Sequence, residues 1–312
     1  MDGRVSTSLV LGYECNNNCI FCLYGDRKGM RSSEELKKAM NELRKYSNDI
    51  MLTGGSAYRE DYLEILRYAK GLGFKVHIDH NLRLFANKEF AKKVLEILPD
   101  ARFSCSLHSQ APEIHDKITR VKGSWKQTVR GIKNIVESGN KNITPVCVIC
   151  KLNYKLLPEM VSFVSKLGLS RLDFVLVRKE GNAEKIYEKI VPSFREFKNY
   201  LFRALSIAEK LNFFVRVTGL PLCAIPKIKF SFELYGRMME KIIWDVDGIK
   251  TDELKGRPLR RVKFRRCKLC KYYFICPGVV EDYVQVHGDK EFYPTKGKKV
   301  KTSFEFEKEL LK

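Results

Sequence analysis

The sequence predicts an α/β fold, in which a partial (β/α)6 barrel is followed by a small cysteine-rich C-terminal domain. Up to about residue 218, short runs rich in β-branched and aromatic residues alternate with longer amphipathic segments. Such alternation is typical of a parallel sheet. Beyond that point the alternation stops, and the loop-rich remainder contains four of the ten cysteines. We therefore predict a barrel domain over residues 1–215 and a C-terminal domain over residues 216–312.

Six runs match the strand pattern, and six segments between or after them match the helix pattern. The predicted strands are residues 5–12, 49–54, 74–79, 102–107, 143–150 and 171–177. The predicted helices lie near residues 33–46, 59–72, 87–98, 124–138, 155–167 and 193–211. The fourth helix shows an apolar stripe of Trp125, Val129, Ile132 and Val136. In such folds the functional groups lie on loops at the carboxyl ends of the strands.

The composition is that of a globular protein. Hydrophobic residues make up 44% of the 312 residues, and the mean hydropathy is −0.29. No stretch is long enough to span a bilayer, and the N-terminus lacks the apolar region of a signal peptide. We therefore expect a cytoplasmic protein without a membrane partner, in which clustered cysteines serve metal or redox cofactors rather than disulfides.

The charge is strongly positive, since 58 lysines and arginines against 37 acidic residues give a formal charge of +21. A surplus of this size attracts polyanions such as nucleic acid, or acidic substrates. The scarcity of glutamine, which occurs only at Gln110, Gln127 and Gln285, fits a lysine-rich thermophilic protein equally well. Charge alone therefore leaves both interpretations open.

The first group of cysteines is Cys15, Cys19 and Cys22, spaced C-x3-C-x2-C on the loop after the first strand. Thiolates at such spacing suit an iron–sulfur cluster. Three of them can hold three irons of a 4Fe–4S cubane, which leaves the fourth iron free for a small molecule. The alternative is a zinc ion with His80 or His108 as the fourth ligand, although zinc sites more often use two C-x2-C pairs.

The second group consists of Cys267, Cys270 and Cys276, spaced C-x2-C-x5-C, with Cys223 as a fourth thiolate from a separate loop. Four protein thiolates make a closed site for either a 4Fe–4S cluster or a structural zinc ion. Because the surrounding segment is too irregular to build a large core, metal ligation would organise it. The run KGKKVK at residues 296–301 is interpreted as a solvated basic tail.

The remaining three cysteines are interpreted as core residues. Cys147 and Cys150 lie three positions apart in a predicted strand and therefore point to opposite faces, which makes them a poor chelating pair. Cys105 lies inside another strand and is expected to pack as a small hydrophobic residue. His80 and His108 fall near the ends of the third and fourth strands, where we expect hydrogen-bonded loop residues rather than catalysts.

These motifs together resemble the radical S-adenosylmethionine (SAM) superfamily. Asn16 follows the first cysteine and Phe21 precedes the last one, as is common in the family. The segment 53–66, TGGSAYREDYLEIL, resembles the family's glycine motif after the second strand, although Ser56 stands where glutamate is usual. Further similarity covers the fourth, fifth and sixth strand regions, at residues 104–135, 148–168 and 174–183.

The resemblance implies a partial TIM-like barrel that binds a 4Fe–4S cluster through Cys15, Cys19 and Cys22, with SAM on the open iron. It implies reductive cleavage of SAM to a 5′-deoxyadenosyl radical, which abstracts hydrogen from a substrate. The electron would come from a ferredoxin- or flavodoxin-like donor. The cofactor-binding residues that it implies are Phe21, Gly54, Gly55, Ser56, Ser106, Arg120 and Asn153.

The C-terminal cysteines resemble the auxiliary-cluster extension called SPASM and its shorter relative, twitch. A full SPASM extension carries seven or eight cysteines, so the four here favour a single auxiliary 4Fe–4S cluster, used for electron transfer or structure. Related architectures modify peptides or protein side chains, so we expect a substrate of that kind. The alternatives are a tRNA- or nucleotide-modifying enzyme and a non-enzymatic, zinc-stabilised nucleic-acid-binding protein.

Overall fold

A computed structural model describes residues 4–55, 59–225, 239–245, 248–251, 260–302 and 305. Its main sheet has nine strands: β1 (Arg4–Val10), β2 (Asp49–Thr53), β3 (Lys75–His80), β4 (Arg102–Ser106), β5 (Ile143–Ile149), β6 (Arg171–Leu176), β7 (Phe214–Thr218), β8 (Met239–Asp245) and β9 (Gly248–Thr251). Two further short strands, β10 (Arg261–Val262) and β11 (Val279–Val280), form an antiparallel pair.

The main sheet runs in the order β7-β6-β5-β4-β3-β2-β1-β8-β9. Strands β1 to β7 are parallel, β8 is parallel to β1, and β9 is antiparallel to β8. Because consecutive parallel strands lie side by side, their carboxyl ends meet at one edge of the sheet. The predicted α/β fold with a parallel sheet is confirmed.

The helices are α1 (Ser33–Leu43), α2 (Tyr62–Gly71), α3 (Lys88–Ile97), α4 (Pro112–Thr119), α5 (Ser124–Glu137), α6 (Leu157–Lys166), α7 (Tyr187–Ile190), α8 (Phe194–Lys210) and α9 (Glu281–His287). Six of them match the predicted helices within a few residues. The predicted stripe of α5 is confirmed, since Val129 and Ile132 are buried and Trp125 and Val136 pack against the same core.

Strand β7 is absent from the sequence-based prediction. Its run Phe214–Thr218 is only five residues long and lies at the predicted domain boundary. Val215 and Val217 are buried, and Arg216 between them lies on the polar face, where its guanidinium group forms an ion pair with Asp173 on the neighbouring strand β6, with 2.8 Å between Nε and Oδ1. Strand β7 also spans the predicted domain boundary at residues 215 and 216, and that boundary stays a prediction.

The two faces of the sheet differ in burial, as the strand β3 shows. Val76 and Ile78 are buried in the main core, whereas His77 and Asp79 on the opposite face are only half-buried. The same alternation runs through β4, β5, β6 and β7. One face therefore carries the core, and the other presents polar side chains such as Asp79.

The core cysteines Cys105, Cys147 and Cys150 are buried, as predicted. Within the part of the chain that the structure describes, no helix is long and apolar enough to cross a membrane.

Buried histidines are expected to make the fold sensitive to acid. Burial lowers the pKa of His80 and of His115 to about 4, from an ordinary value of about 6.5. The unfolded chain therefore binds protons between pH 6.5 and 4 that the folded chain does not, so the free energy of unfolding falls as the pH falls through this window. Each histidine contributes at most about 3 kcal/mol to this loss.

Urea unfolding at pH 7 and pH 5 measures this effect, with the protein at constant ionic strength. A His80→Asn variant retains an acceptor for the Leu82 amide, which donates to His80 Nδ1 at 2.8 Å. The variant should lose part of the difference between the two pH values. An equal difference in both proteins would show that His80 is not responsible.

Candidate functional site

The first three cysteines lie on the loop after β1, at the carboxyl end of the parallel sheet. The end of α4 holds the middle of this loop through the main chain. Asn18 N donates to Thr119 O at 2.9 Å, and Ile20 N donates to Ile118 O at 3.0 Å. These bonds give the cysteine loop a defined path although it has no regular secondary structure.

Two residues after β3 hold the start of the cysteine loop. Asn81 Nδ2 donates to Asn16 Oδ1 at 2.6 Å and lies 3.5 Å from Cys15 Sγ. The Arg83 guanidinium donates to Asn17 Oδ1 at 2.8 Å and to the Asn16 carbonyl. Sequence reasoning missed both residues, although their place just beyond the carboxyl end of a strand is a signal that would have found them.

The loop after β6 holds the other end. Asn182 N donates to Cys22 O at 3.0 Å, and Asn182 Nδ2 donates to Cys19 O at 2.9 Å. Gly181 has a φ of +57°, and a Cβ atom there would lie 2.2 Å from Cys22 O. Only glycine therefore lets this loop approach the cysteines so closely.

The two glycines after β2 approach the same loop from the neighbouring strand. Gly55 N donates to Gly12 O at 2.7 Å. A Cβ atom on Gly55 would lie 1.8 Å from Glu14 O, and one on Gly54, where φ is +88°, would lie 2.4 Å from Gly12 O. The pair thus packs main chain against the residue that precedes Cys15. Ser56, the next predicted cofactor-binding residue, lies outside the described residues.

The three thiols of this site influence one another electrostatically. Burial and then the thiols of Cys22 and Cys15 raise the pKa of Cys19 to about 12. Three neighbouring thiolates repel one another unless a metal centre neutralises them. Each iron of a cluster takes one thiolate, so the three sulfurs need not meet at a single ion. The donor set therefore fits an iron–sulfur cluster.

The zinc alternative finds no support in the neighbouring histidines. His80 Nδ1 accepts from Leu82 N at 2.8 Å, and His108 Nδ1 faces Val148 N at 3.4 Å. Among the described residues, no three histidine, cysteine or acidic side chains are arranged to hold one metal ion. Both histidines are hydrogen-bonded, as predicted, but both are buried, and His80 is the last residue of β3 rather than a loop residue.

Two of the predicted cofactor-binding residues meet at His108 in a buried cluster. The Phe21 ring contacts the His108 ring edge-on, with 5.0 Å between centroids. Asn153 Nδ2 donates to His108 O at 2.7 Å and to Val148 O at 2.8 Å, while its Oδ1 accepts from Cys150 N at 2.9 Å. The Asn153 amide is thus occupied by main-chain groups, and it positions the segment after β4.

Two other predicted residues lie at the same end of the sheet. Ser106 is the last residue of β4 and is half-buried. Arg120 is exposed at the C-terminus of α4, in the left-handed region with a φ of 56°, and its charge acts on Cys19. Direct contacts of Ser106 and Arg120 with a cofactor stay predictions.

The second group of cysteines surrounds one cavity, lined by Cys223, Cys267, Cys270 and Cys276. Burial and then the other three thiols raise the pKa of Cys223 to about 12. The main chain donates to the sulfurs, since Gly278 N lies 3.4 Å from Cys276 Sγ. Four thiols around one cavity supply one thiolate for each iron of a 4Fe–4S cluster, so the sulfurs need not meet at a single ion and the donor set fits such a cluster.

A C-terminal strap, residues 293–300, crosses this second site. Thr295 N donates to Cys270 Sγ at 3.4 Å, and Val300 N donates to Lys271 O at 3.0 Å. Val300 is buried, and the half-buried Lys299 donates to Cys270 O at 2.8 Å. The interpretation of residues 296–301 as a solvated tail is therefore wrong for Lys299 and Val300, because their partners lie on a distant loop.

Comparison with known proteins places this arrangement in a family. The model of the Radical SAM superfamily matches residues 9–164. The probable GTP 3′,8-cyclase of Thermococcus kodakarensis is 29% identical over 223 residues, 67% of each chain. That of Sulfurisphaera tokodaii is 28% identical over 186 residues, 58% of each chain. The mycofactocin maturase MftC of Mycolicibacterium smegmatis is 23% identical over 198 residues, 62% of this chain and 50% of MftC. The chain thus spans about half to two thirds of these relatives.

Solved structures show the same fold. Streptococcus suis SuiB bound to S-adenosylmethionine superposes with a TM-score of 0.64 at 17% identity, covering 94% of this chain and 76% of SuiB. The anSMEcpe structure with bound AdoMet and the Cp18Cys peptide gives a TM-score of 0.55 at 15% identity, covering 67% of this chain and 61% of that chain. The similarity to SuiB extends into the C-terminal region.

Proposed function

Because the chain belongs to the radical SAM superfamily, we propose that it is a radical SAM enzyme that modifies a peptide or protein side chain. The observation that carries the proposal is the set of three thiols at the carboxyl end of a parallel sheet, packed against the main chain of Gly54 and Gly55. Two similar proteins support the choice of a peptide. MftC is a mycofactocin maturase, and SuiB, which shares the fold along nearly the whole chain, has been solved bound to its precursor peptide SuiA.

The first site offers a distinct role to each group of residues. Cys15, Cys19 and Cys22 would hold a 4Fe–4S cluster, and the main chain at Gly54 and Gly55 would receive the amino group of SAM. When bound, the cluster and SAM together supply reductive cleavage to methionine and a 5′-deoxyadenosyl radical that abstracts a hydrogen atom from substrate.

The protein's own contribution is to position these groups and to exclude water. Asn81, Arg83 and Asn182 hold the cysteine loop at both ends, so the three sulfurs keep their places when a cofactor binds. The half-buried Asp79 accepts from Thr53 Oγ1 at 2.9 Å, and burial raises the pKa of its carboxyl group. The Asp79 carboxyl group on the polar sheet face therefore binds a proton more readily than an exposed carboxyl group does.

The second site and the partners complete the proposal. Cys223, Cys267, Cys270 and Cys276 would hold an auxiliary 4Fe–4S cluster in a C-terminal domain over residues 216–312. A ferredoxin- or flavodoxin-like protein would donate the electron. We place the enzyme in the cytoplasm, whose reducing conditions keep free thiols available for metal binding.

A second candidate substrate is a nucleotide. Two relatives at 28% and 29% identity are probable GTP 3′,8-cyclases, and the charge of +21 favours anionic substrates. Transfer RNA remains a further option under the same electrostatic argument.

Anaerobic purification and single-turnover assays test the proposal. About eight irons per chain are expected if both sites hold a 4Fe–4S cluster. Dithionite-reduced protein should release 5′-deoxyadenosine from SAM, and loaded protein that fails to do so would contradict the proposed reaction. Mass spectrometry of a synthetic peptide library should then show loss of hydrogens from a peptide. Consumption of GTP under the same conditions would favour the nucleotide instead.

A further inference from the structure

Two ammonium groups donate hydrogen bonds to the loop that carries Cys267, Cys270 and Cys276. Lys263 Nζ donates to Tyr273 O at 2.6 Å and lies 4.8 Å from the centroid of the Tyr273 ring. Lys299, on the C-terminal strap, donates to the carbonyls of Lys268 and Cys270 and lies 5.7 Å from the same ring. We call Lys263 and Lys299 the lysine clamp.

The clamp differs from the other cation at this site, Arg266. The Arg266 guanidinium lines the same cavity but forms an ion pair with Asp289 at 2.6 Å, which neutralises much of its charge. Within residues 260–302, neither Lys263 nor Lys299 has a carboxylate within ion-pair distance. Lys263 also lines the cavity. Among residues 260–302, the second site thus has beside it two positive charges without a carboxylate partner.

We propose that the lysine clamp raises the reduction potential of an auxiliary iron–sulfur cluster at this site. The inference rests on the proposed function, since it requires a cluster on these four cysteines. A cluster held by four thiolates becomes more negative on reduction, and nearby cations stabilise the reduced form. Amide donors at Cys270 Sγ and Cys276 Sγ act in the same direction.

The strap also gives the clamp a fixed geometry. Lys299 is half-buried, and Val300 next to it is buried. The strap is further tied to the loop by Lys271 N, which donates to Thr295 O at 2.7 Å. Because the ammonium group of Lys299 bonds to two carbonyls of the cysteine loop, its charge stays near the metal centre instead of moving with solvent.

A redox titration of the full-length chain tests the clamp. In a Cys15→Ala, Cys19→Ala, Cys22→Ala background only the second cluster remains, so its signal is isolated. The midpoint potential is measured by electron paramagnetic resonance. Replacing both lysines with glutamine should lower the equilibrium constant for reduction of the cluster at least tenfold. The midpoint potential should therefore fall by about 59 mV or more. The shift should shrink at high salt, since Lys263 is exposed and therefore screened.

Two controls separate charge from structure. The Lys263→Arg, Lys299→Arg variant keeps both charges. Its equilibrium constant for reduction of the cluster should stay within a few-fold of the parent value. Lys296→Gln removes an exposed charge from the same strap and should leave the potential unchanged. If Lys299→Gln releases iron, the Lys263→Gln variant alone decides, because the exposed Lys263 side chain makes one hydrogen bond to the described part of the chain, to Tyr273 O.

An unchanged potential with the irons retained overturns the clamp and leaves the proposed cluster intact. If the parent background contains no iron at the second site, the proposal of an auxiliary cluster is wrong, and the proposed effect of the clamp is wrong with it.

Discussion

Replacing Cys15, Cys19 and Cys22 with alanine is expected to abolish release of 5′-deoxyadenosine from SAM. These thiols are the donors that the first site offers to a cluster, and the cluster supplies the electron for cleavage. The iron content should fall from about eight to about four per chain, since the second site is untouched. Iron analysis and chromatography of the SAM products measure both effects.

Two matched variants show whether the effect belongs to this site. Cys105→Ala removes a fully buried core thiol and should leave both the iron content and SAM cleavage nearly unchanged, at a cost in stability of about 1 kcal/mol. Cys267→Ala with Cys270→Ala should remove the other four irons and retain part of the SAM cleavage. Persistent cleavage in the triple variant would exclude the first site as the place of SAM chemistry.

Replacing Gly55 with alanine is expected to be almost as damaging as loss of a cysteine, although it removes no chemical group. A Cβ atom at this position would lie 1.8 Å from Glu14 O and 2.2 Å from Glu14 C. Main chain must therefore move, and it moves next to Cys15. We expect SAM cleavage to fall by about 100-fold or more, because displacements of about 1 Å at a reacting centre have effects of that size.

The comparison that isolates this clash is Gly71→Ala at the end of α2. A Cβ atom there would meet no atom within 4 Å, so the substitution should leave cleavage within about twofold of the parent. Iron content and absorption of the cluster distinguish loss of the cluster from loss of SAM binding. A Gly55→Ala protein with parental activity would show that this close approach does not position the cysteine loop.

Most of the barrel follows from local patterns. The β-rich runs at β1 to β6 and the apolar stripe of α5 are local properties, which can be recognised within a few residues. Strand β7 was missed because its run is only five residues long and lies at the predicted domain boundary, and the ion pair of Arg216 with Asp173 joins it to a distant segment, β6. The pairing of β8 with β1 likewise joins segments more than 200 residues apart.

The candidate site divides in the same way. The two cysteine groups and the glycine pair were recognisable as motifs, since metal ligation and close main-chain approach require particular residue types at short spacings. The supporting residues Asn81, Arg83 and Asn182 were not, because amides and guanidinium groups occur on any surface. Their roles depend on which loops meet at the carboxyl edge of the sheet.

The sequence by itself determined the α/β class, six of the strand–helix units and the cysteines that can bind metal, because hydrophobic periodicity and ligand spacing are encoded over a few residues. The sequence also grouped Cys223 with Cys267, Cys270 and Cys276, and the structure places the four around one cavity. Only the tertiary structure decided that Asn81, Arg83 and Asn182 hold the first cysteine loop and that the strap with Lys299 crosses the second site. These contacts join segments that are distant in the sequence, and the local pattern of one segment does not predict its contact with the other. Chain topology and packing of the whole core bring them together.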